Sequence, residues 1–180
     1  MRIDFEAGSA TDNFLTNSRL AVPRWLVYLI VVASLSLAVY HLVGGLFGTT
    51  EAFSHRTTHL VGFLILTFLV YPSGRNSWRA PLNAWVLIDG LLIVLAIGVF
   101  AYRIHDIDAL ASRTGFPDAN DVVSGTILVL LVLEGVRRTV GWSLVALPAL
   151  FMVHAVYSDH FPSVFLAAPT RFSSLIGYLT

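Results

Sequence analysis

Apolar residues fall in long blocks separated by short polar stretches, and they do not alternate as they would along strands. The first block runs from about Pro23 to Phe47 and is almost wholly apolar between Leu26 and Val43. Pro23 suits a first helical turn, and Trp25 and Tyr28 suit a membrane interface. The second block, Leu60 to Tyr71, is only about 12 residues long, short of the ~20 needed to cross a bilayer core. It spans if the helix begins near Ala52 and carries His55, Arg56, Thr57, Thr58 and His59 in its first turns. Pro72 and Gly74 end it. A third helix is predicted over Ala84 to Tyr102, a fourth over Val122 to Arg138 with Asp121 as N-cap, and a fifth over Thr139 to Tyr157 with Pro148 inside it. The fourth and fifth form a hairpin about a charged corner, Glu134 to Arg138, with no separate turn between them.

The tail differs. Phe172, Leu175, Ile176 and Leu179 share one helical face, and Arg171, Ser173 and Ser174 lie off it. That pattern predicts an amphipathic interfacial helix, and the chain stops within it without a cap signal. The expected organisation is a polar N-terminal segment, 1–22; a four-helix membrane unit, 23–138; a fifth helix, 139–160; and an outer loop with the amphipathic segment, 161–180.

Composition sharpens the class. Hydrophobic residues make up 56% of the 180 and charged residues only 12%, well below the charged fraction of ordinary soluble domains. The predicted fold class is therefore an all-α integral membrane protein with about five transmembrane helices, its first partner being the lipid bilayer. The formal net charge of zero gives no sign of a nucleic-acid partner. With no Cys, disulfides, thiolate metal sites and Cys nucleophiles are excluded. The first apolar block lies too far from the N-terminus, and is too long, to read as a cleaved signal.

All basic side chains other than His are Arg. With five spans, Arg2, Arg19, Arg24, Arg75, Arg79, Arg137 and Arg138 fall on one side of the membrane. Arg56, Arg103, Arg113 and Arg171 fall on the other. The positive-inside rule then predicts a cytoplasmic N-terminus and an outward C-terminus. Arg56, Arg103, His105, Asp106, Asp108 and Arg113 would face outward, as docking candidates or as solvated loop.

Candidate chemistry is sparse. Glu134 has Arg137 and Arg138 three and four residues on, the spacing at which a carboxylate and a guanidinium meet on one helix face. The local reading is an interfacial pair that sets the depth of the hairpin; the sharper one is ion or proton coupling. Pairing argues against the second, because a paired carboxylate stays ionised. Asp89 lies inside the third helix with no sequence-local partner, which makes it a functional suspect. Gly44 and Gly48 form a G-x-x-x-G that suits either a close helix contact or a glycine-rich helix exit. His41, His59 and His154 fall on three helices, which raises a haem or electron-transfer protein as an alternative. A self-contained oligomer built on the Gly44 face is another. No phosphate loop, nucleophile elbow or H-E-x-x-H motif appears, so no enzyme, metal or resident cofactor is expected.

The stretch DVVSGTILVLLVLEGVRRTVGWSLVALPALFMVHAVYSDHFP, with its E-x-x-R-R-x-x-G-W corner (Glu134, Arg137, Arg138, Gly141, Trp142), resembles the fused permeases of tripartite ATP-independent periplasmic (TRAP) transporters of the TAXI type. HRTTHLVGFLILTFLVYP, His55 to Pro72, and RFSSLIGYLT are similar to the same family, so the resemblance covers about Phe53 to Thr180. It implies a small Q-like part of four helices, with the fifth as connector or first helix of a large M-type part. In that family the large part holds the sodium and substrate sites, and a periplasmic binding protein delivers substrate, often an organic acid. Those site residues have no matching positions here. The resemblance implies a membrane scaffold in the bacterial inner membrane that does not transport alone.

Overall fold

The computed structural model describes residues 23–48, 52–74, 84–105, 107–113, 115–162 and 164–180. The polar N-terminal segment with Arg2 and Arg19, and also Arg75, Arg79 and Asp106, lie outside the described residues. Its helices are α1 (Arg24–Phe47), α2 (Ala52–Val70), α3 (Ala84–His105), α4 (Ile107–Ser112), α5 (Ala119–Thr139), α6 (Trp142–Tyr157) and α7 (Phe172–Leu179). A 3-10 turn, Ser158–His160, follows α6, and no strand occurs among the described residues. Among the described residues five segments are long and apolar enough to cross a membrane: Trp25–Phe47, Ala52–Val70, Ala84–His105, Ala119–Thr139 and Trp142–His160. The chain is an all-α, multi-pass membrane protein.

The second helix does begin at Ala52, so it reaches 19 residues by taking in its polar first turns. Two expected boundaries move. The N-cap of α5 is Asp118, not Asp121: the Asp118 carboxylate accepts from the Asp121 backbone N–H at 2.9 Å, and the Asp121 carboxylate accepts from the Asp118 N–H at 3.0 Å. Asp121 is thus the third helical residue and closes a capping box, which satisfies two otherwise orphaned amides. A turn also separates α5 from α6. Gly141 precedes α6 at φ +111°, a backbone conformation that side chains other than glycine's resist.

The core lies between α2, α3 and α5. Val61, Leu64 and Phe68 meet Ala96 and Val99 from α3 and Leu128 and Leu131 from α5. Close approach comes from glycine: a side chain at Gly62 would strike Leu37 of α1, and one at Gly135 would press on Leu64 of α2. Outside this core, α1 packs on α2, and α6 packs on α5 and α7. Both outer helices expose large apolar side chains, including Val32, Leu35, Leu42, Leu147, Leu150 and Phe151. A helix that is apolar all round while exposed fits lipid, where no water penalises the surface.

Candidate functional site: two buried charge clusters

The helices alternate in direction, so each end of the core gathers termini from several elements. At the near end, where α1 starts, lie the end of α2, the start of α3 and the end of α5. Arg138 of α5 is 3% exposed and pairs with the fully buried Asp89 of α3, Nη1 to Oδ1 at 2.7 Å. Ser73, just past α2, donates its hydroxyl to the same carboxylate oxygen at 2.7 Å and its backbone N–H to both oxygens at 3.1 Å. Arg138 Nη2 donates back to the Ser73 hydroxyl at 2.6 Å, and Nη1 donates to the Tyr71 carbonyl at 3.0 Å. Its guanidinium lies 5.0 Å from the Phe68 ring centroid. One side chain therefore ties α5 to the exit of α2 and the start of α3.

Glu134 completes the cluster from the α5 side. It accepts from Arg138 Nε at 2.7 Å and from Arg137 Nε and Nη2 at 2.7 and 2.8 Å. Arg137 points outward, its side chain 35% exposed, with its guanidinium 5.6 Å from the Trp142 ring. Two carboxylates face two guanidiniums, so the group is neutral as a whole. Placement helps it further. Arg137 and Arg138 stand in the last turn of α5, where the helix dipole favours positive charge.

The sequence reading of Glu134 as a local i,i+3 and i,i+4 pair is seen directly. The partner of Asp89 was not legible, since Arg138 lies 49 residues away. Asp89 is fully buried against protein.

The far end carries a second cluster. The buried Asp121 accepts from the Tyr102 hydroxyl at 2.7 Å and from Arg113 Nε and Nη2 at 3.0 and 3.2 Å. Arg103, 2% exposed, donates to the Thr180 carbonyl and lies 5.0 Å from the Phe53 ring. Its Nε has no hydrogen-bond partner among the described residues. Thus Arg103 is inside the fold, whereas Arg56, His105 and Asp108 remain exposed. Nearby, α7 packs its buried Ile176 where a side chain on Gly125 would otherwise stand.

The remaining candidates separate. Gly48 ends α1 at φ +82°, and a side chain there would meet nothing within 4 Å among the described residues, which fits a glycine exit from the helix. Gly44 is half-buried in the last turns of α1. The histidines of α1 and α2 do meet: His59 Nδ1 is 2.7 Å from His41 Nε2. His41 Nδ1 is 2.7 Å from the Leu37 carbonyl. A haem iron between two axial imidazoles would need nitrogens about 4 Å apart, twice a metal–imidazole bond, so this contact leaves no room for one. His154 instead meets the Phe165 carbonyl at 2.9 Å.

Comparison with family models, curated proteins and solved structures finds no match for the chain.

Proposed function

We propose that the chain is the small, Q-like membrane scaffold of a TAXI-type TRAP permease, working beside a large M-type transport domain or subunit and a periplasmic substrate-binding protein. In this reading it lies in the bacterial inner membrane with its N-terminus cytoplasmic. The near-end cluster then sits at the cytoplasmic face and the far-end cluster at the periplasmic face. Its task is to hold the fixed wall against which the transport part moves, not to bind the organic acid or the coupling ion.

The observation that carries the reading is the state of the intramembrane acids. Asp89, Asp121 and Glu134 each accept from an arginine. An ion-coupling carboxylate must exchange partners during a cycle, whereas these act as rivets between helices. A second support is the surface beside α6. An apolar groove of about 500 Å³, lined by Leu128, Val132, Val136, Pro148, Phe151 and Met152 among others, runs between α5 and α6. It offers a concave apolar surface of the kind a further membrane domain covers.

The test is uptake in proteoliposomes under a sodium gradient, with the matching binding protein present. The 180-residue chain reconstituted by itself is expected to give no uptake, and uptake is expected when a large M-type part is supplied. Sodium-driven uptake by the chain alone would sink the reading.

A further inference from the structure

The contact between α1 and α2 brings two imidazoles together edge-on, their centroids 4.8 Å apart and their planes at 74°, with one nitrogen of each aimed at the other. His41 Nε2 and His59 Nδ1 are 2.7 Å apart. The backbone carbonyl of Leu37, 2.7 Å from His41 Nδ1, has no proton of its own to give, so His41 Nδ1 carries the hydrogen and Nε2 carries the lone pair. His59 Nδ1 must then donate to it. This is the arrangement of a metal-ligating histidine, whose second ring nitrogen is held by a backbone carbonyl that fixes the tautomer. Only the shared proton stands where an ion would bind, and His59 can release it by moving its hydrogen to Nε2.

The spacing selects the geometry. Two metal–nitrogen bonds of about 2.0 Å at a right angle hold their nitrogens about 2.8 Å apart, and at a tetrahedral angle about 3.3 Å. The observed 2.7 Å contact is close to the first and well short of the second; to bind, each ring must also turn so that its lone pair leaves the line between the nitrogens and points at the ion. Right-angled sites are those of tetragonal ions. The surroundings tolerate the change. His59 is exposed and its ring leans on Phe63 at 4.7 Å between centroids, while His55 stacks on Tyr40 at 5.2 Å beside His41. Among the described residues no group of three or more His, Asp or Glu side chains converges on one point.

We infer that His41 and His59 form a two-imidazole chelate for a tetragonal divalent transition ion, copper(II) or nickel(II), which clasps α1 to α2. The inference departs from the sequence expectation of no metal, and it does not depend on the transporter reading.

The experiment uses the full chain in detergent micelles, without a polyhistidine tag, titrated with copper(II) supplied as its glycine complex. Calorimetry is expected to show one ion per chain, and electron paramagnetic resonance two equatorial nitrogens. H41A and H59N are each expected to weaken binding at least tenfold, while H154A and H160A leave it unchanged. H59N is the decisive variant. The asparagine amide nitrogen stands where His59 Nδ1 stood and can still donate to His41 Nε2, so the helix contact persists while the second imidazole is gone. Absence of binding above the micelle blank overturns the inference. So does undiminished binding in H59N, which would mark the copper as adventitious.

Discussion

The two ends of the core solve the same problem by different means. At the near end, charges from separate helices meet inside the protein, and every carboxylate oxygen pairs with a guanidinium or a serine. At the far end, the acid belongs to the cap of its own helix, and the buried Arg103 keeps an Nε without a partner among the described residues. The first cluster joins three elements through one side chain; the second mostly secures a helix start and the loop before it. Charge removed from water is stabilising only when fully paired, so the near end is where substitution costs most.

Arg138→Met therefore carries the largest expected effect. It removes the guanidinium that Asp89 and Glu134 share, leaving two carboxylates to one arginine, and breaking such a buried pair costs about 3–5 kcal/mol. Thermal or denaturant unfolding in detergent measures it. Asp89→Asn combined with Arg138→Met is expected to recover part of that loss, and a strictly additive double variant would show that the two residues do not couple. Next comes Asp121→Ala, which removes one arm of the capping box and the acceptor of Tyr102 and Arg113, worth about 1–3 kcal/mol. If it proves costlier than Arg138→Met, the contrast between the ends is wrong.

Gly125→Ala is smaller and local. Its new methyl would lie 2.5 Å from Ile176 and 2.7 Å from the Thr180 hydroxyl, so α7 must lift from α5, at about 1–2 kcal/mol of overpacking. Faster protease cleavage around residues 161–171, with the global transition little changed, reports it. Least of all is Arg137→Ala. That side chain makes a one-helix pair at the surface, worth a few tenths of a kcal/mol. The gap between Arg137 and Arg138, adjacent and chemically identical, is the sharpest measure of what cross-helix burial adds.

Some of this was legible along the chain. The i,i+3 and i,i+4 spacing announced Glu134 with its two arginines, because contacts within one helix turn follow from helical geometry. It left open which arginine faces the interior; that depends on how α5 is rotated against α2 and α3. Asp121 was read as the N-cap since it stands nearest the apolar run, yet Asp118 caps and Asp121 answers from the third position. The His41–His59 contact had a faint signal. The two stand 18 residues apart, six and seven residues from the helix ends at Phe47 and Ala52, and an antiparallel hairpin brings such residues level. Gly62 and Gly135 gave no signal of their own, because a glycine shows its purpose only by the neighbour it admits.

What the sequence determined by itself is the number of spans, their approximate limits and the all-α class. A bilayer demands about 20 apolar residues per crossing and internal backbone hydrogen bonding, and both demands are written in composition and run length. What only the tertiary structure decided is which polar groups meet: Asp89 with Arg138, His41 with His59, Tyr102 with Asp121. Those meetings depend on the rotation and depth of each helix. Rotation and depth are set by packing among many weakly differing apolar faces, and no single residue carries that information.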